Sequence, residues 1–157
     1  MSLLQNDRQV THLPDPNLYD RDYAAWVEQT ALLLRDRQFE AVDLENLIHE
    51  LDDMSRREKR SLTSNVRVIL MHLLKYKFYA EKRSRSWLVT LREHRIQLAE
   101  ILADSPSLQN YLNDQFELCY AQVRREAADE TGLEIEEFPV ESPFTVLQCL
   151  DEGFRPD

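Results

Sequence analysis

Glycine is almost missing from this chain of 157 residues, which holds only Gly132 and Gly153. Loops that cradle phosphate, and the tight turns of dinucleotide-binding folds, need glycine where backbone must approach a ligand or take a positive φ. No such loop can be built here. Cysteine is as scarce, and Cys119 and Cys149 both fall at apolar positions of expected helices. They read as small buried hydrophobes in a reducing compartment rather than as a disulfide or a metal pair. No run approaches the ~20 apolar residues that cross a bilayer. The first residues, Met1 to Asp7, carry no charged stretch followed by an apolar one. We therefore expect a cytoplasmic protein without membrane association. Period-two alternation is nearly absent, so β-structure should be minor or missing.

What remains is 43% hydrophobic and 31% charged, a normal globular balance. The apolar residues recur at helical spacing, which predicts an all-α fold: a bundle of about five to six helices around a central apolar helix over residues 64–80. Residues 1–18, with Pro14 and Pro16, are expected to form a polar arm, and 19–157 a single helical domain. A first helix should follow Asp20 and fade near Arg37. Asp43 should cap a second, with Leu44, Leu47, Ile48, Leu51 and Met54 on its apolar face and an acidic outside. Ser61 or Ser64 could cap the next, unless the two run on as one. From Val66 to Leu74 the apolar residues cover almost every side, as in a helix covered on several faces. Ser84 or Ser86 should cap the helix bearing Trp87, Leu91, Leu98, Ile101 and Leu102. Ser105 and Pro106 should open the following one, whose stripe runs from Leu108 to Ala127, with Gly132 as its left-handed cap. Ser142-Pro143 should start a short last helix ended by Gly153.

The net charge is −10, unevenly spread. Residues 56–95 are strongly basic and the remainder strongly acidic. Arg56, Arg57, Lys59, Arg60, Lys82, Arg83 and Arg85 form a candidate binding patch for nucleic acid or an acidic partner. The competing reading, and the preferred one, is that basic central helices pair internally with acidic flanking ones, because an acidic protein repels phosphate at long range. Lys75, beside the apolar run, should snorkel or pair with a carboxylate on the first or second helix.

Catalytic signatures are few. Glu45, His49 and Asp53 recur every four residues on one helix face, and His72 and His94 could approach from other helices. Bundle interiors do host metals held by carboxylates and imidazoles, so these five are candidate ligands. Neither Glu-x-x-His nor His-Glu-x-x-His occurs, and no cofactor is expected. The serines cluster at helix starts, where capping accounts for them.

Several strings, in order and spacing, resemble one known family. They are Tyr19-Asp20-Arg21-Asp22-Tyr23 with Trp26, Asp43-Leu44-Glu45-Asn46-Leu47-Ile48, and His72-Leu73-Leu74-Lys75-Tyr76. Ser84-Arg85-Ser86-Trp87, Asp104-Ser105-Pro106-Ser107-Leu108, Glu130-Thr131-Gly132-Leu133, Phe138-Pro139 and Ser142-Pro143-Phe144 follow. Together they look like the bacterial family catalogued as domain of unknown function 29, common in cyanobacteria. The resemblance runs from about Tyr19 to Phe154. It implies an all-helical fold and a bacterial source, and no activity. His49 departs from it, standing where the family pattern has an acidic residue. The first expectation for function is a non-enzymatic helical module that binds another protein or forms a homo-oligomer. A metal-dependent enzyme with a site inside the bundle, and nucleic-acid binding through 56–95, are the alternatives.

Overall fold

A computed structural model describes residues 15–157, which are 77% helical, with six α-helices and no strand among them. Up to residue 14, the expected N-terminal arm lies outside the described residues. The helices are α1 (Leu18–Arg21), α2 (Tyr23–Arg35), α3 (Leu44–Phe78), α4 (Arg85–Asp104), α5 (Leu108–Thr131) and α6 (Val146–Leu150). The chain divides into two compact units, Met1–Asp53 and Met54–Asp157.

In the first unit Asp22, not Asp20, caps α2, its Oδ1 accepting from the Ala25 amide at 3.0 Å. Residues 18–21 form the separate turn α1 instead. The end of α2 is unusual. Arg37 takes φ of 58° while the Gln38 amide reaches back to the Leu33 carbonyl at 2.8 Å. This is the helix-ending motif in which glycine is the favoured residue, and arginine bears a steric cost there. Asp43 caps α3 as expected, with its Oδ1 accepting from Asn46 N at 3.3 Å.

Helix α3 continues without a break for 35 residues, about 52 Å at the usual rise. Ser61 and Ser64 are therefore interior and cap nothing. The polar run 55–60 has no glycine or proline, and its arginine, glutamate and lysine are good helix formers. Polarity on every side is not a break signal by itself.

In the second unit the expected central segment is deeply buried. Leu62, Val66, Ile69, Leu70, Leu73 and Leu74 are all fully inaccessible. They pack in one cluster with Leu91 and Leu98 of α4 and with the α5 stripe Leu108, Leu112, Phe116, Cys119, Tyr120, Val123 and Ala127. Phe138, Phe144 and Cys149 complete it. Both cysteines are free and buried, and burial pushes the Cys149 thiol up to about 12.

Two starts differ from expectation, and a third lacks its expected capping bond. Ser84 stands before α4 but makes no capping bond, because its Oγ pairs with Ser86 Oγ at 2.8 Å. Helix α5 begins at Leu108, after a turn in which the Ser105 and Pro106 carbonyls accept from the Leu108 and Gln109 amides. Helix α6 begins at Val146, where Thr145 and Gln148 make a reciprocal capping box. Ser142 instead closes a local turn on Phe144, and α6 ends at Leu150, before Gly153. Gly132 does supply the left-handed cap of α5, with φ of 74°.

Two guanidinium groups hold the mostly irregular stretch after α5. Arg124 on α5 donates to the carbonyls of Phe138 and Ile135 at 2.9 and 3.0 Å, beside the Tyr120 hydroxyl bond to Pro139 O at 2.6 Å. Arg95 on α4 is only 2% exposed, although the charge pattern made it look like a surface cation. It donates to the carbonyls of Gln148, Cys149 and Phe154, each at 2.9 Å. Two of these belong to the last turn of α6, where carbonyls lack helical partners and cations are favoured. Replacing Arg95 by Met would strand three carbonyls, costing about 3–5 kcal/mol by analogy with broken buried charge networks. Urea unfolding should show it. Arg37→Gly should do the opposite, raising stability by about 0.5–1 kcal/mol through relief of the left-handed backbone, measurable as a higher Tm.

Candidate functional site

Within the first unit the described residues bury only Trp26, Val42 and Thr30. Tyr19, Tyr23 and Trp26 form an aromatic trio with centroids 4.9 to 6.0 Å apart. The Glu50 carboxylate accepts from the Tyr19 hydroxyl at 2.6 Å and the Tyr23 hydroxyl at 2.7 Å. The Tyr19 bond to Glu50 is the main cause, ahead of burial and the nearby charges, that raises the Tyr19 pKa to about 12. A cavity of about 340 Å³ lies beside Trp26, Thr30, Leu33 and Val42. The Trp26 indole N–H is buried without a hydrogen-bond partner among the described residues.

The apolar face of α3 in this unit corrects the sequence expectation. Leu44, Ile48 and Leu51 were expected to point into the core. They are 56–57% exposed instead. On α2, Tyr23, Val27 and Leu34 are also exposed. The spacing of Leu44, Ile48 and Leu51, four then three residues, puts them in one row along two turns. Their surroundings are acidic: Asp43, Glu45, Glu50, Asp52 and Asp53 lie in the same stretch, and no lysine or arginine occurs between Arg37 and Arg56. Helical periodicity reveals such a row but carries no information about what covers it.

The five candidate metal ligands are distributed as follows. Glu45 is exposed, and His49 stands 3.5 Å from Asp53 on the next turn. In the second unit, His72 donates Nδ1–H to the Val68 carbonyl at 2.8 Å. His94 bonds the Asn65 side-chain oxygen at 2.7 Å, while the Asn65 amide donates to Ser61 O. Among the described residues no three His, Cys, Asp or Glu side chains converge as a metal would require.

The basic candidates Arg56, Arg57, Lys59, Arg60, Lys82, Arg83 and Arg85 are all exposed. They fall into two clusters, because the stretch of α3 from residue 60 to 78 separates them by about 27 Å. Lys59 lies over the Tyr111 ring and Arg83 over that of Tyr76. The internal pairing that the charge pattern suggested occurs at other residues. Arg67 pairs with Glu126 and Lys75 with Glu130. Lys75 is thus buried and paired, but to α5 rather than to an earlier helix, and its ammonium also sits 4.6 Å from the Trp87 ring centroid.

These two pairs border a groove of about 350 Å³ lined by Ser64, Met71 and His72 among others. A carbonyl can only accept, so His72 carries its proton on Nδ1 and leaves Nε2 as a lone pair. Burial is the main cause that lowers its pKa. The groove therefore holds a neutral base, but its carboxylates are already engaged by Arg67 and Lys75. Because the folded state resists protonation, His72 contributes stability above its unfolded pKa of about 6.5, and that contribution is lost as pH falls below it. Urea midpoints should drop more steeply between pH 6.5 and 5 in the wild type than in His72→Gln. Imidazole NMR should show a titration midpoint below the ordinary histidine value.

No helix among the described residues is long and apolar enough to cross a membrane. No curated protein and no solved structure matches the chain. A family model described as Domain of unknown function DUF29 matches residues 18–155, nearly the whole sequence. The chain belongs to the family of the Domain of unknown function DUF29.

Proposed function

We propose that this chain is a non-enzymatic helical module of the bacterial cytoplasm that binds another protein through the apolar row on the first turns of α3. The observation that carries the reading is the exposure of Leu44, Ile48 and Leu51 in a unit whose described residues bury only three side chains. Burying a large aliphatic side chain stabilises by about 1.5–3 kcal/mol, while ordering each backbone residue costs about 1–2 kcal/mol. A unit with so small an interior gains by covering that row. Exposed apolar rows rimmed by polar residues mark interaction sites.

A second reading, nucleic-acid binding by Arg56, Arg57, Lys59 and Arg60, is favoured by their exposure. It is opposed by the net charge of −10, which repels phosphate.

A photo-crosslinking residue placed at position 48 or 51, in the cells that make the protein, tests the first reading. One discrete protein adduct should form from both positions, be lost in Leu44→Asp, and be absent with the crosslinker at Val140, an exposed apolar residue elsewhere. Identical products from all three positions, or none from 48 and 51, would refute it.

A further inference from the structure

We propose that the acidic-rimmed apolar row on α3 receives a cationic amphipathic helix of a different protein. This rests on the docking reading above and specifies the chemistry of its occupant.

The row is narrow. Leu44, Ile48 and Leu51 span eight residues, about 10 Å along the axis, which suits a second helix presenting apolar residues every three or four positions. Its rim is of one sign. Glu45 and Asp52, both exposed, flank the row on one side and the capping residue Asp43 on the other, while Glu50 is turned to two tyrosine hydroxyls and Asp53 lies on the far face beside His49. No lysine or arginine lies between Asp43 and Asp52 on this stretch. Covering the row strips water from the rim and strengthens every charge interaction there.

Charge then discriminates among the occupants. Two copies meeting row to row would bring two acidic stretches together, and such like-charge juxtaposition costs several kcal/mol. An anionic membrane surface and nucleic acid are repelled by the same rim. A helix with lysine or arginine flanking its apolar stripe satisfies both the row and the rim. Three side chains are a small contact, so the complex should be weak, with a Kd in the micromolar range, and sensitive to salt.

The intact chain should be titrated with three synthetic 18-residue helical peptides that share one leucine/isoleucine stripe and differ only in lysine, glutamine or glutamate flanks. The lysine peptide should bind at least tenfold more tightly than the glutamine peptide, and the glutamate peptide most weakly. Raising salt from 50 to 300 mM should weaken the lysine peptide several-fold. Leu51→Lys should abolish binding, and Glu45→Lys with Asp52→Lys should reverse the preference toward the glutamate peptide. All these positions are exposed, and unchanged circular dichroism checks that the variants fold. Equal binding of all three peptides overturns the charge inference and leaves the docking reading standing. Sedimentation showing a dimer that Leu51→Lys dissolves makes a second copy the occupant, which also overturns the inference. A monomer that binds none of the peptides overturns the inference and removes support from the docking reading.

Discussion

The burial of one stripe of α3, from Leu62 to Leu74, is the constraint on which the second unit depends. Six aliphatic side chains with no accessible surface can be covered only by apolar rows from other elements. Helices α4 and α5, Phe138, Phe144 and α6 supply them. Charges follow the packing: Arg67 and Lys75 lie beside the buried stripe and find carboxylates on α5, four residues apart, at Glu126 and Glu130. The basic character of the middle of the sequence is thus partly a pairing device. Only the residues outside this contact, such as Arg57 and Arg60, remain as surface cations.

The end of the second unit, after α5, is mostly irregular, and a different interaction secures it. Segments 133–145 and 151–157 have few backbone hydrogen bonds of their own; Arg124 binds carbonyls of the first, and Arg95 binds Phe154 of the second together with the last turn of α6. A guanidinium suits this task because its donors form a fixed fork and it does not lose its charge. Hydrophobic anchors reinforce the attachment at Phe138 and Phe144.

Much of this was legible in the sequence and some was not, for identifiable reasons. The central run 66–74 and the α5 stripe were readable because burial imposes periodicity on both. Gly132 was readable because φ of 74° favours glycine. The continuity of α3 through 55–60 was left open, because a helix polar on all sides lacks the amphipathic signal while still having good propensity. The start of α6 was misplaced because Ser142-Pro143 has the composition of a cap, whereas Thr145 has the partner, Gln148. Arg95 closes the basic stretch 56–95 and could not be told from its other cations, since a sequence does not say which arginine faces main-chain carbonyls. The row Leu44, Ile48, Leu51 was recognised as a face and wrongly turned inward, because periodicity identifies a face and not its cover. His72 was named for metal binding, and its carbonyl-bound tautomer could not be read from spacing.

One consequence of the Arg95 contact concerns divergence. The guanidinium touches only carbonyl oxygens, which every amino acid possesses, so it places no demand on the identity of residues 148, 149 and 154. The Arg95 contact thus leaves side-chain identity at these positions to other interactions, namely the Gln148 capping box, the burial of Cys149 and the packing of Phe154 on Phe144.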